Sequence, residues 1–266
     1  MKADIIVPTF NQEDHTIRCF DSLKEHTDNY RLIWADDGST EESREKVSKV
    51  VECHSEVVKL WSSSNKGFIK NVNNALTFAT KVSRPEDTKL IVLLNNDVIL
   101  TEGWLDRFRR IFINDDMLHA VGPITSECSS WQSFLNASHV THGFKIPHNF
   151  VSHSANERAK ILANHYSDLM MPCRMLAFFC TAFRREVFDS LGLLDERFEL
   201  GYGDDDDFAL RMNNASMKLG VSFGSYVHHV HRGTFGTIYT PEEIKAIQAK
   251  QHERFEAKHG ERARVV

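Results

Sequence analysis

The 266-residue chain has no CxxC pair, no regular cysteine spacing and no apolar run near the roughly 20 residues that cross a bilayer. Its five cysteines, Cys19, Cys53, Cys128, Cys173 and Cys180, are dispersed and odd in number, which fits reduced, mostly buried thiols of a cytoplasmic protein and gives no zinc site. No charged leader or cleavage site precedes the apolar Ile5-Ile6-Val7. The expectation is a soluble chain, with peripheral contact to a membrane surface left open. An excess of positive charge is also missing: the formal net charge is −5, so there is no electrostatic case for a nucleic-acid partner. The pairs Arg109-Arg110 and Arg184-Arg185 read as surface helix residues. Repeats and low-complexity segments are absent.

What is present is an ordinary globular composition, 41% apolar and 26% charged, with short apolar runs alternating with amphipathic stretches. Ile5–Val7, Leu32–Ala35, Val57–Leu60 and Leu90–Leu94 read as strands. The first, third and fourth lack polar alternation, as strands covered on both faces do. Between them, residues 14–26, 41–54 and 67–81 carry apolar side chains at helical spacing. This order predicts an open, mainly parallel sheet with helices on both faces, whose ligands bind at the strand C-termini. Farther on, residues 101–113 read as a helix capped by Thr101, and Ala120–Val121 as a short strand. Residues 124–172 read as a long function-specific insertion. Met175–Phe183 returns to the sheet, Arg184–Leu191 is a short helix, and Val221–Val227 is a strand. A polar helix runs from Pro241, behind Thr240, to about Lys258.

Several clusters then fall where chemistry is expected. The first two strands end in Pro8-Thr9-Phe10-Asn11 and Asp36-Asp37-Gly38-Ser39. The second is either a turn with a helix cap or a carboxylate for a base or ribose hydroxyl. Asn65-Lys66-Gly67 opens the third helix, where a lysine and main-chain amides can meet a diphosphate, or simply cap the helix. Asn95-Asn96-Asp97 closes a buried strand and offers oxygen ligands to a divalent ion such as Mg²⁺ or Mn²⁺. Asp204-Asp205-Asp206-Asp207 repel one another unless a cation, a proton or a helix N-terminus relieves them, and the following residues suggest that they fill a first helical turn. In His228-His229-Val230-His231, one histidine at a strand end is a candidate metal ligand.

In this order the motifs resemble family 2 glycosyltransferases of the GT-A fold. The resemblance rests on Ile5–Asn11, Asp36–Ser39, Asn65–Phe68, Leu94–Val98, Phe183–Phe188, Leu191–Phe198, Gly203–Arg211 and His229–Phe235. It implies a Rossmann-like nucleotide-binding half at 1–100 and an acceptor-binding half at 101–240, together one domain, followed by a helix and tail at 241–266. It implies an inverting hexosyl- or deoxyhexosyltransferase that uses a UDP-, GDP- or dTDP-linked sugar and a glycan or glycolipid acceptor. The donor site would comprise Pro8, Thr9, Phe10, Asn11, Asp37, Lys66, Gly67, Asn95 and Asn96. Asp97 and His229 would hold Mn²⁺ or Mg²⁺, and Asp205, with Asp204 beside it, would take the acceptor proton.

Three departures stand out against that family pattern. Asp204 occupies a position where Glu is commoner, Asn95 replaces an acid, and Asp206 lies where an apolar residue is usual. Gly201–Gly203 reads as a flexible approach to the base. Trp131, His139 and His142 in the insertion are candidates for acceptor recognition, although Trp131 equally suits a core. By family resemblance the setting would be polysaccharide or glycan assembly, in the cytoplasm or at the cytoplasmic face of a membrane. A sugar-phosphate nucleotidyltransferase is the first rival, but Pro8–Asn11 does not resemble its Gly-rich basic loop. A catalytically degenerate sugar- or nucleotide-binding protein is the second.

Overall fold

The computed structural model describes residues 1–82, 86, 88–128, 130–134, 149–198, 202–230 and 240–260. Strand β1 (Lys2–Thr9) is followed by α1 (Glu13–His26), β2 (Tyr30–Asp36), α2 (Glu41–Val51), β3 (Val57–Trp61) and α3 (Phe68–Thr77). Then come β4 (Thr88–Leu94), the short β5 (Val98–Ile99), α4 (Trp104–Asn114) and β6 (Leu118–Ile124). After them lie α5 (Ala155–Tyr166), β7 (Met170–Cys173), β8 (Cys180–Arg184), α6 (Glu186–Leu191), α7 (Asp204–Asn214), β9 (Lys218–Tyr226), β10 (His228–His229) and α8 (Pro241–His259).

Eight strands form one sheet in the order β3-β2-β1-β4-β8-β6-β9-β7, and β5 pairs with β10 in a separate antiparallel ribbon. β3, β2, β1 and β4 run parallel, with Thr9 opposite Asp36 and Asp36 opposite Trp61. That register brings the ends of the first three strands level, so the loops after them share one edge. Beyond β4 the sheet is mixed, because β8 is antiparallel to both β4 and β6, and β7 is antiparallel to β9. One apolar cluster fills the face under α3, α5 and α7, and a second fills the face under α1, α2 and α4. The expected open α/β sheet with helices on both faces is therefore present.

Local readings need correcting in four places. β3 is an edge strand with Lys59 and Trp61 exposed, because among the described residues no strand pairs beyond it. Val57, Val58 and Leu60 are half-buried, and Lys59 interrupts the apolar run. α4 starts at Trp104 behind Gly103, and Thr101 donates its hydroxyl to the Tyr226 carbonyl instead of capping the helix. The stretch 124–172 holds the twelve-residue α5, capped reciprocally by Ser154 and Glu157, and most of the edge strand β7. Only Ala159 and Leu162 of that helix are fully buried, so its apolar stripe is too narrow to announce it. Met175–Phe183 is strand only from Cys180, while the preceding strand ends at Cys173, on an edge that tolerates Pro172.

Of the four paired arginines, Arg109 and Arg185 are buried and Arg184 is half-buried, against the expected surface placement. Asp4, fully buried in β1, accepts from Arg31 Nε and Nη2 at 2.8 Å each and from Arg185 Nη2 at 2.8 Å. Arg185 also donates to the Thr88 and Ala79 carbonyls. Arg109 closes the chain start by donating to the carbonyls of Met1, Asp28 and Asn29, and Arg184 ties Leu118, Phe112 and Asp115. Arg110 alone is exposed, paired with Asp168. All five cysteines are free; Cys19 and Cys180 are buried and Cys53 is exposed. Among the described residues no helix is long and apolar enough to cross a membrane.

Candidate functional site

The loops at the C-terminal edge of β1 and β2 are fastened to each other. Thr9 Oγ1 receives the Trp34 indole N–H at 2.8 Å and donates to Asp36 at 3.1 Å. Asp36 also accepts from the Ser39 amide and hydroxyl, which makes it the turn's internal brace. Asn11, at φ 51°, receives Thr40 N–H on its side chain at 3.0 Å and donates its own N–H to Ser39 Oγ at 2.7 Å. Thr40 caps α2. The turn-and-cap reading of Asp36–Ser39 is present: Asp36 braces the turn, Thr40 caps α2, and Asp37 faces the next loop.

Asp37 accepts the Lys66 and Gly67 amides, each at 2.9 Å, one on each carboxylate oxygen. Burial raises its pKa and these two amides oppose the rise. Those amides are thereby committed to Asp37 rather than to a phosphate, while the Lys66 side chain is exposed. Gly38 makes this possible. It lies at φ +80°, and a Cβ there would come within 2.5 Å of the Ser64 carbonyl carbon. A glycine is required by both conformation and close approach. Pro8 is buried in β1 and Phe10 is half-buried at the same edge.

Asn95–Asp97 forms the turn after β4. Asn95 N–H donates to the Phe179 carbonyl at 2.8 Å, and Asn96 Nδ2 donates to Thr16 of α1 at 2.9 Å. Cys19, one helical turn along α1, lies under the turn with its sulfur 3.6 Å from the Asn95 carbonyl. Asn96 is thus spent on the scaffold, whereas Asp97 meets His229: Oδ1 and Nε2 stand 3.2 Å apart. The short ribbon delivers this pair, with His229 opposite Val98 and Val230 N–H donating to the Asp97 carbonyl at 3.0 Å. Thr125 receives the His229 N–H at 3.3 Å, and the imidazole stacks on Phe179 with centroids 4.9 Å apart. A carboxylate and an imidazole facing each other suit Mn²⁺ or Mg²⁺ with further oxygen ligands from a diphosphate. Among the described residues no group of three or more His, Cys, Asp or Glu could hold a metal.

The four aspartates occupy the first turn of α7, as expected, behind Gly203 at φ +98°. A larger residue there would press on the Phe198 ring, 3.2 Å from the added Cβ. Asp204 is buried and its pKa is raised to about 6, first by burial and then by Asp206 and Asp207 against the helical amides. Asp205 is half-buried and is also raised, by burial and by Asp204 and Asp206. Asp206 is raised by burial, with His252 of α8 pulling it down. Asp207 differs from the other three. Fully buried, it accepts from Arg211 at 2.9 Å, Lys258 at 2.5 Å and His259 at 2.7 Å, so it is engaged in a cluster of cationic partners within the scaffold.

Consecutive phenylalanines, which the sequence did not single out, connect the two acidic clusters. Phe178 packs on Phe208 of α7 with centroids 5.9 Å apart, while Phe179 carries His229 and holds Asn95. A second missed residue is Arg158 of α5. It donates to Ser126 Oγ at 2.6 Å and Tyr226 Oη at 2.9 Å, bracing the segments on either side of Thr125 and His229. Trp131 is 40% exposed, so it does not fill the core. His139, His142, Gly201, His231 and residues 232–235 lie outside the described residues.

Comparison with known proteins gives a consistent family signal. The family model described as "Glycosyl transferase family 2" matches residues 4–192. Curated relatives are named "Putative glycosyltransferase TagX" from Staphylococcus aureus; the strain MRSA252 protein is 28% identical over 121 residues. That stretch is 46% of this chain and 33% of the relative, so the match spans about a third of the relative's length. Among solved structures, GalNAc-T7 with UDP, GalNAc and Mn²⁺ superposes with a TM-score of 0.63 at 14% identity, over 97% of this chain and 51% of that one. Mannosyltransferase PcManGT from Pyrobaculum calidifontis, in complex with GDP-Man and Mn²⁺, gives 0.57 at 17%, over 96% and 69%. S. aureus TarS 1–349 with UDP-GlcNAc gives 0.57 at 15%, over 97% and 71%. At these identities the structural likeness establishes a shared fold.

Proposed function

Since the chain belongs to glycosyl transferase family 2, we propose that it moves a sugar from a nucleoside-diphosphate sugar to a hydroxyl of a glycan or glycolipid, with inversion. The observation that carries this reading is the Asp97–His229 pair, 3.2 Å apart at the sheet edge shared with Asp37. Pro8, Thr9, Phe10, Asn11 and Asp37 surround the nucleoside, with the free lone pairs of Asp37 available to a base or ribose donor. Lys66, Gly67, Asn95 and Asn96 border the diphosphate, with Asn96 acting through its bond to Thr16. Asp97 and His229 would hold Mn²⁺ or Mg²⁺, which when bound would neutralise charge on the departing diphosphate.

Asp205 then serves as base. The acceptor oxygen bonds to the anomeric carbon, the bond from that carbon to the diphosphate oxygen breaks, the nucleoside diphosphate leaves, and Asp205 takes the hydroxyl proton. Burial and the neighbouring Asp204 and Asp206 raise its proton affinity above that of an ordinary carboxylate, in the direction a base requires. Asp204 supports it electrostatically. Exposed Trp131 and the segment around it give the acceptor a sugar-stacking surface. UDP-, GDP- and dTDP-sugars are the candidate donors. Polysaccharide assembly at the cytoplasmic side of a membrane is the proposed setting.

Thermal shift against nucleoside diphosphates and sugar nucleotides, with and without Mn²⁺, tests the donor half. At a hundredfold excess over Kd, a true ligand adds about 2.7 kcal/mol of stability. The expected pattern is a Mn²⁺-dependent shift for one nucleotide class, lost in Asp97→Ala and retained in Asp205→Ala. An equal shift in both variants would remove Asp97 from the donor site.

A further inference from the structure

The sequence sets the helix after residue 240 apart from the catalytic unit, yet its contacts converge on the acid helix. Lys258 Nζ lies between Asp207 of α7, at 2.5 Å, and Asp195, at 2.6 Å, and His259 adds a second bond to Asp207 at 2.7 Å. Gln251 and Phe255 are its only fully buried residues among nineteen, and Gln251 sits beside Gly203 at the start of α7. So little apolar surface cannot dock a helix of this length by itself. Docking is concentrated in the ion cluster. That cluster is buried on the acid side, where Asp207 without its partners would be an uncompensated charge.

The same contacts continue toward the nucleotide side. Asn73 of α3 donates to the Leu194 carbonyl at 2.9 Å and accepts the Leu194 amide at 3.0 Å, fixing the segment that carries Asp195. Gly67, held by Asp37, is the residue from which α3 starts. An unbroken series of bonds therefore runs from the donor loop through α3, residues 194–195 and Lys258 to Asp207, two residues from Asp205.

We propose that α8 is a strap that holds the acid helix in its working position, with Lys258 as a positioning residue that acts through Asp207 and Asp195. The catalytic consequence rests on the transferase reading above; the mechanical one does not. Removing the Lys258 charge loosens the first turns of α7 and leaves β1–β4 and the donor loops unchanged. Turnover then falls through misplacement of Asp205, while donor affinity is retained.

The test is amide hydrogen exchange on the full chain, comparing wild type, Lys258→Met, Lys258→Arg and, as control, Lys250→Met on the exposed face of the same helix. In Lys258→Met, amides of residues 204–210 exchange about tenfold faster or more, those of β1–β4 are unchanged, and Lys258→Arg restores protection. With a sugar nucleotide that wild type consumes, kcat falls about tenfold at a donor KM within about twofold of wild type. Unchanged exchange in α7, or uniform loosening of the whole chain, overturns the strap. A wild type that consumes no sugar nucleotide overturns the transferase reading instead, and the exchange data still decide the strap.

Discussion

Asp204→Asn should make the protein more stable at neutral pH. The Asp204 carboxyl is buried beside Asp206 and Asp207, and its pKa is raised from 3.8 to about 6. Between those two values the folded protein binds the proton more tightly than the unfolded chain, so stability falls as pH rises through this window and is flat above it. At 1.36 kcal/mol per unit, a rise of about two units corresponds to ~3 kcal/mol lost at pH 7 relative to pH 3. Asn is isosteric and uncharged, and its carbonyl oxygen keeps an acceptor for the helical amides. The gain should therefore be on the order of 1–3 kcal/mol at pH 7 and vanish below about pH 4. Urea unfolding of both proteins at a series of pH values measures it directly. An Asp204→Asn protein that is less stable at pH 7, or whose difference from wild type does not change with pH, would refute the assigned burial and repulsion. The gain would also show that the site is kept at the expense of the fold, as crowded functional carboxylates commonly are.

Three further outcomes follow from named contacts. Asp4→Ala leaves Arg31 and Arg185 buried without their carboxylate and should cost about 3–5 kcal/mol, read as a lower urea midpoint. Gly38→Ala forces a positive φ and a clash with the Ser64 backbone; it should cost roughly 1–2 kcal/mol or more and weaken nucleotide binding measured by calorimetry. Asp205→Asn should lower kcat by on the order of a hundredfold or more, and the acid limb of the wild-type kcat profile should lie above the ordinary carboxylate range near pH 4. The limb has this sign because the base works only when deprotonated.

The first half of the fold was legible because its strands and helices are separated by strong changes of period: Ile5–Val7, Leu32–Ala35 and Leu90–Leu94 all lie within observed strands. The family and the open sheet followed from motifs placed at strand ends. Burial of the arginines was not legible, because a guanidinium satisfied by Asp4 or by main-chain carbonyls reads in sequence like any surface charge. Helix α5 was hidden by its narrow apolar stripe, although Ser154 and Glu157 form a capping pair at the spacing that marks a helix start. Within the acidic run, equal aspartates received unequal roles. Asp207 is occupied by partners near the far end of the chain, a contact that no local pattern announces. Asp97 and His229, by contrast, were paired by family order, and the β5–β10 ribbon explains how they meet.

The most direct test of the central claim is acceptor-dependent release of nucleoside diphosphate from a sugar nucleotide in the presence of Mn²⁺, followed for wild type, Asp97→Ala, His229→Ala and Asp205→Asn. The account requires release by wild type, loss of donor binding together with activity in Asp97→Ala, weakened metal dependence in His229→Ala, and retained donor binding without turnover in Asp205→Asn. Full activity in Asp97→Ala or Asp205→Asn would contradict it.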